Sequence, residues 1–172
     1  MKQFNLRRLT LMAVLMALQL VLGSMFSIQF LLTKISFGFI PMAICAYLFG
    51  PWVTANISGL SYLLGMLLFP KFAFFLGFAV TAWLSGFVFG YFLHRKLNLW
   101  RITAATAIVT FILNLFLNSL WLHMMYTTSW PALFATRVPQ EIVTLIIYVA
   151  VLWVLNRKYF TDRLASLAQV QI

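Results

Sequence analysis

The chain has 172 residues, 64% of them hydrophobic and only 8% charged, with a mean hydropathy of +1.00. Soluble domains carry about half apolar and about a quarter charged residues, so that class is excluded and an integral membrane protein is indicated. Twelve Lys and Arg against two acids give a net charge of +10. These cations sit at the ends of apolar runs, as orientation signals do, and not in an aromatic-interleaved stripe, which speaks against a nucleic-acid partner.

Apolar runs divided by charge, Pro/Gly or polar clusters predict six spans, at about 9–29, 36–49, 52–69, 72–93, 102–125 and 137–156. A span needs about 20 residues, so residues 1–172 are expected to form one all-α transmembrane domain with no soluble domain attached. The first run also has the basic start and small-residue end of a signal peptide. It continues apolar to Leu32, and a retained helix is expected. The second run is the weakest, with 13 residues from 37 to 49 before the Gly50-Pro51 break, so little tilt or a partly interfacial position is expected.

With the N-terminus inside, the inner basic residues are Lys2, Arg7, Arg8, Arg95, Lys96, Arg101, Arg157, Lys158 and Arg163, and the outer ones Lys34, Lys71 and Arg137. Nine against three predicts both termini cytoplasmic. The tail from Arg157 to Arg163 is assigned to anionic headgroups of membrane lipid.

On span one, Ala13 and Ala17 share a side that lies about 140° from Gln19 on a helical wheel. If Gln19 faces inward, the Ala pair is a smooth outward surface for another membrane helix. Ala55/Gly59, Ser61/Gly65 and Ala82/Gly86/Gly90 show the same spacing, which internal helix packing explains. Cys45, the lone cysteine, lies in an apolar stretch and is read as packing.

Catalysis fails for want of groups. Glu141 and Asp162, the two acids, fall on opposite sides of the membrane in this topology, as do His94 and His123. Metal, haem and paired-carboxylate chemistry need such groups close together, so neither an enzyme nor a cofactor is expected. Instead, Lys34, Lys71, Arg137, Gln140 and Glu141 gather at the outer mouth, with Asn114, Asn118 and Gln19 deeper. The lysines either snorkel to the interface or neutralise an anionic solute.

Span six opens on a polar stripe, Arg137, Gln140, Glu141 and Thr144, at offsets that share one helical face. Thr136 is the expected cap and Pro139 is placed in the first turn. Arg137 and Glu141 either pair with each other or offer a donor and an acceptor to a heterocycle or carboxylate. Asn114, Asn118 and Trp121 share a face on span five, as interhelical glue or as solute contacts. Phe37, Phe39, Phe75 and Trp121 are candidates to sandwich a flat ring, with Phe72, Phe74 and Phe78 nearby.

The segments 34–41 (KISFGFIP), 48–52 (LFGPW), 63–65 (LLG), 67–70 (LLFP), 77–78 (GF), 84–86 (LSG) and 114–122 (NLFLNSLWL) resemble the substrate-binding S components of energy-coupling factor (ECF) vitamin transporters. They are most similar to the folate-specific, FolT-like branch. The resemblance covers nearly the whole chain. It implies six helices, both termini cytoplasmic, and a vitamin pocket open to the outside beneath the loop between spans one and two. It also implies a bacterial, Gram-positive cell membrane and a complex with the transmembrane coupling protein (EcfT) and two cytoplasmic ATPases. Ala13-x-x-x-Ala17 is similar to the family's docking motif, and Arg137-Val-Pro-Gln140 to the stretch that opens span six in the folate branch. Met25 and Tyr62 depart from the family pattern, where Arg and Asp are common. Pantothenate or a thiamine precursor is the alternative ligand. A freestanding secondary carrier and a structural membrane protein are the alternative classes.

Overall fold

A computed structural model of the chain describes residues 6–24, 27–30, 33–69, 75–95 and 97–155, with backbone alone for 27–30 and 33–35. Among the described residues six helical rods follow one another: α1 (Leu6–Ser24), α2 (Phe39–Phe49), α3 (Pro51–Leu68), α4 (Leu76–Leu93), α5 (Leu99–Tyr126) and α6 (Trp130–Leu155). By length and composition, α1, α4, α5 and α6 suffice to cross a membrane. Helix α3 is as long as α4, with 18 residues, and its Thr54, Asn56, Ser58, Ser61 and Tyr62 make it less apolar.

The all-helical expectation needs one correction. Span one ends at Ser24 rather than near 29, and strands β1 (Ser27–Phe30) and β2 (Thr33–Ser36) form an antiparallel hairpin pairing Ser27 with Ser36 and Phe30 with Thr33. Gly23-Ser24 stops the helix, and the β-branched Ile28, Thr33 and Ile35 favour extended backbone. Pairing lets each strand satisfy the other's amides where water is scarce.

Helix α2 has 11 residues, only about 16 Å at 1.5 Å per residue. Phe39, Met42, Ala43, Cys45, Ala46, Leu48 and Phe49 are buried by the surrounding rods. Walled by protein on most sides, it needs no hydrocarbon-spanning length. Its core partners are Phe89 and Leu93 of α4, Ile102 and Val109 of α5, and Leu152 of α6.

Gly50, with φ +79°, forms the whole turn from α2 to α3. That left-handed conformation suits glycine alone, and Pro51 then opens α3 with a preset φ. Gly90 of α4 packs directly on this corner, while Gly86 lies against Thr54 O and Ser58 of α3. The Ala82/Gly86/Gly90 stripe is thus where α3 and α4 approach most closely. Helix α1 lies at the bundle edge with Leu15 its one buried residue, and Ser61 Oγ donates to Met16 O at 3.0 Å to tie it to α3.

Two rods depart from simple α geometry. In α5 the stretch Ile108–Leu117 is wound as a π-helix, in which the Asn118 amide bonds to Leu113 O, five residues back. In α6 the helix starts at Trp130, seven residues before the expected start of span six. The Leu133 amide bonds to Ser129 O, so Pro131, not Pro139, occupies the first turn. Thr136 is therefore not a cap; it lies inside the helix, and its Oγ1 donates to Ala132 O at 3.0 Å. Pro139 sits in the helix interior, where Ala135 O loses its amide partner.

Candidate ligand-binding cavity

Helix α6 turns Arg137, Glu141, Thr144 and Tyr148 toward one cavity; their offsets of zero, four, seven and eleven keep a single face. All four are buried. The Arg137 guanidinium donates through Nη1 to Asn114 O at 3.2 Å and to Ser119 Oγ at 3.1 Å, both on α5. These bonds go to α5 rather than to Glu141, whose Oε2 has no hydrogen-bond partner. Tyr148 stacks on Phe39 with ring centroids 3.7 Å apart, and its hydroxyl donates to Ser36 O at 3.1 Å.

The other walls come from α3 (Ser58, Ser61, Tyr62, Gly65), α4 (Phe78, Thr81, Ala82, Ser85), α5 (Asn114, Asn118, Leu122) and α1 (Gln19, Leu20), with Phe39 and Met42 of α2 at one end. The enclosed space is about 510 Å³, within the roughly 300–1,000 Å³ of small-molecule sites. Asn118 Nδ2 donates to Asn114 Oδ1 at 3.4 Å. Thr81 Oγ1 donates to Gly77 O and accepts from Trp121 Nε1 at 3.1 Å.

Six buried polar atoms on these walls have no partner: Gln19 Oε1, Ser58 Oγ, Asn118 Oδ1, Arg137 Nε, Glu141 Oε2 and Thr144 Oγ1. Leaving a buried donor or acceptor unpaired costs about 1–3 kcal/mol. All six belong to side chains that line one cavity, while the atoms themselves have almost no accessible surface. Among the described residues no group of three His, Cys, Asp or Glu could hold a metal ion.

The site anticipated from sequence is partly assembled. Arg137, Asn114, Asn118, Gln19 and Phe39 line the cavity. Gln140 lies at the edge of the α6 face, off the cavity wall, with its Oε1 buried and unpartnered. Trp121 and Phe75 do not line it either; they pack on each other at 5.6 Å over Gly77, because the Trp121 indole is drawn to Thr81. Phe37 packs against the core beneath α2 instead of the cavity. The Lys34 side chain and the whole of Lys71, like Met25, lie outside the described residues. Ala13 and Ala17 are exposed on α1 while Gln19 faces the cavity, the opposition expected from the wheel. The anticipated site omitted Ser58, Ser61, Tyr62, Thr81, Ser85 and Tyr148.

A family model described as the ECF transporter, substrate-specific component, matches residues 7–156. The chain belongs to this family. This S component is 33% identical over 154 residues to a protein of Clostridium novyi (strain NT) named folate transporter FolT, a match covering 89% of the chain and 88% of the relative. A protein of the same name from Leuconostoc mesenteroides is 35% identical over 150 residues, covering 85% of the chain and 80% of the relative. A crystal structure of FolT bound with folic acid superposes on the S component with a TM-score of 0.84 at 33% identity, covering 90% of this chain and 95% of that one.

Proposed function

We propose that this S component binds folate at the outer side of the cell membrane of a Gram-positive bacterium and releases it inside once docked on an ATP-driven module. The observation that carries the reading is a fixed guanidinium and a carboxylate with one unpartnered oxygen on one cavity wall, Arg137 and Glu141. A pterin edge presents adjacent N–H donors beside a carbonyl oxygen. A carboxylate accepts the former and a guanidinium donates to the latter. Asn118, Thr144 and, across the cavity, Gln19 supply further partners, and Phe39 and Phe78 the aromatic walls. The assignment of Lys34 and Lys71 to the tail carboxylates rests on the sequence alone, which puts both between apolar runs on the expected outer side, where charge is cheapest to hold.

The purified protein is expected to bind folic acid with a Kd of order nanomolar, about −12 kcal/mol, measured by titration calorimetry. Capture of pantothenate or a thiamine precursor in place of folic acid moves the chain to another vitamin. Uptake by cells that express this chain without the ATPases identifies a freestanding carrier instead.

The nine-to-three basic asymmetry supports cytoplasmic termini, which orients the cavity mouth outward. The partners in this reading are the coupling protein EcfT and two ATPases, with docking through the exposed Ala13 and Ala17 on α1. Tryptophan at both positions is expected to leave folic acid affinity of the isolated protein unchanged and to abolish ATP-driven uptake. Lost binding in the isolated variant, or uptake at the parental rate, overturns this docking face.

A further inference from the structure

The π-helical stretch of α5 and the guanidinium of Arg137 meet at one atom. The last wide-turn bond runs from the Asn118 amide to Leu113 O. Ordinary α winding then resumes through Asn118–Tyr126, a register that would pair the Ser119 amide with Leu115 O. A change from five-residue to four-residue pairing passes over one carbonyl, and in this register it is Asn114 O. That carbonyl receives Arg137 Nη1 at 3.2 Å. The same nitrogen donates to the hydroxyl of Ser119, a residue with no exposed surface that does not itself line the cavity.

We propose that Ser119 is a positioning residue, forming with the passed-over Asn114 carbonyl a seat that holds Arg137 Nη1 on α5 and so fixes how the guanidinium is set in the cavity wall. The inference deepens the folate reading and rests on it for the identity of the ligand. A long arginine side chain otherwise loses much rotamer freedom when it is immobilised, and a seat that fixes it before the ligand arrives removes that cost from binding. The fork would also be free to swing onto Glu141 Oε2, four residues along the same helix, which would consume both a donor and an acceptor offered to the ligand. Two acceptors on α5 prevent this.

Two cycles on the full-length protein test the seat. In the ligand-free protein, melting temperatures of wild type, Ser119→Ala, Arg137→Ala and the double variant read the contact itself. The expected result is strong non-additivity, with Ser119→Ala costing little once Arg137 is gone. With folic acid as probe, Ser119→Ala is expected to weaken binding about tenfold, the usual scale for one hydrogen bond to a charged group. Ser119→Thr, which keeps the hydroxyl, is expected to restore most of that loss, and Ser119→Ala in the Arg137→Ala background to add nothing further. Additive melting shifts overturn the seat. Folic acid affinity of Ser119→Ala equal to wild type, with the melting cycle coupled, overturns its role in positioning. A wild-type protein that takes no folic acid while the melting cycle is coupled refutes the folate reading and leaves the seat standing.

Discussion

Arg137→Ala is expected to weaken folic acid binding by at least about a hundredfold, the largest loss of any single change in the cavity. The ligand loses a charge-assisted donor, worth about 1.5–3 kcal/mol. At about 1.4 kcal/mol per tenfold, the top of that range gives the stated factor. Glu141 is also left as a buried acid with no neighbouring cation, and Ser119 Oγ and Asn114 O lose the donor they share; these costs fall on the stability of the free and the bound protein alike. Arg137→Lys should fall between, because an ammonium restores the charge but cannot keep two acceptors on α5 and still offer a second, planar donor to the ligand. Titration of both variants against folic acid, with circular dichroism to check folding, decides the matter. An Arg137→Ala protein that folds and binds with parental affinity removes Arg137 from the site.

Gly90→Ala is expected to be the most destabilising single methyl group that can be added to the chain. The new carbon would overlap Pro51 Cα and stand 2.7 Å from Pro51 N and 2.9 Å from Gly50 C. All three are backbone atoms at the tight α2–α3 corner, and no rotamer change can move them aside. Overpacked cores lose about 1–3 kcal/mol when side chains can adjust; here two helices must separate, so the cost should reach or exceed the top of that range. Gly59→Ala is the control, since its nearest neighbour is the Trp83 side chain at 3.3 Å, which can shift by tenths of an ångström. Thermal unfolding in detergent should show a large drop for Gly90→Ala and a small one for Gly59→Ala. Equal melting temperatures for the two would mean that the α3–α4 approach is looser than this corner requires.

Polar residues in an apolar run stand out in a sequence, which is why Arg137, Asn114, Asn118 and Gln19 could be identified without coordinates. Serine and threonine do not stand out in the same way. In helices surrounded by lipid they bond back to their own turn, as Thr81 does to Gly77 O and Ser85 to Thr81 O. A hydroxyl lining a cavity therefore looks the same in sequence as one that merely packs. The 58/61/62/65 spacing on α3 matched helix packing equally well, and Ser61/Gly65 was read that way. Tyr148 lies three turns from Arg137, beyond the polar cluster, and only the bundle shows that its face is shared. The choice between Pro131 and Pro139 as first-turn proline depended on where α6 begins, and the apolar, aromatic character of 130–134 hid that start inside what read as a loop. The wide turns of α5 left no mark in residue spacing, so Trp121, which looked like a cavity residue beside Asn118, points to Thr81 instead. The hairpin was obscured because Met25, Phe26, Ile28, Phe30, Leu31 and Leu32 carry the apolar composition on past Ser24.

Tyr148 sits three turns along the helix that carries Arg137, and its hydroxyl holds Ser36 at the end of β2 while its ring lies flat on Phe39 at the start of α2. One helix therefore carries both the cavity face and the anchor of the hairpin. Free energies of linked events are reciprocal, so if a bound molecule tightens the hairpin's hold, release of the hairpin weakens that molecule by the same factor.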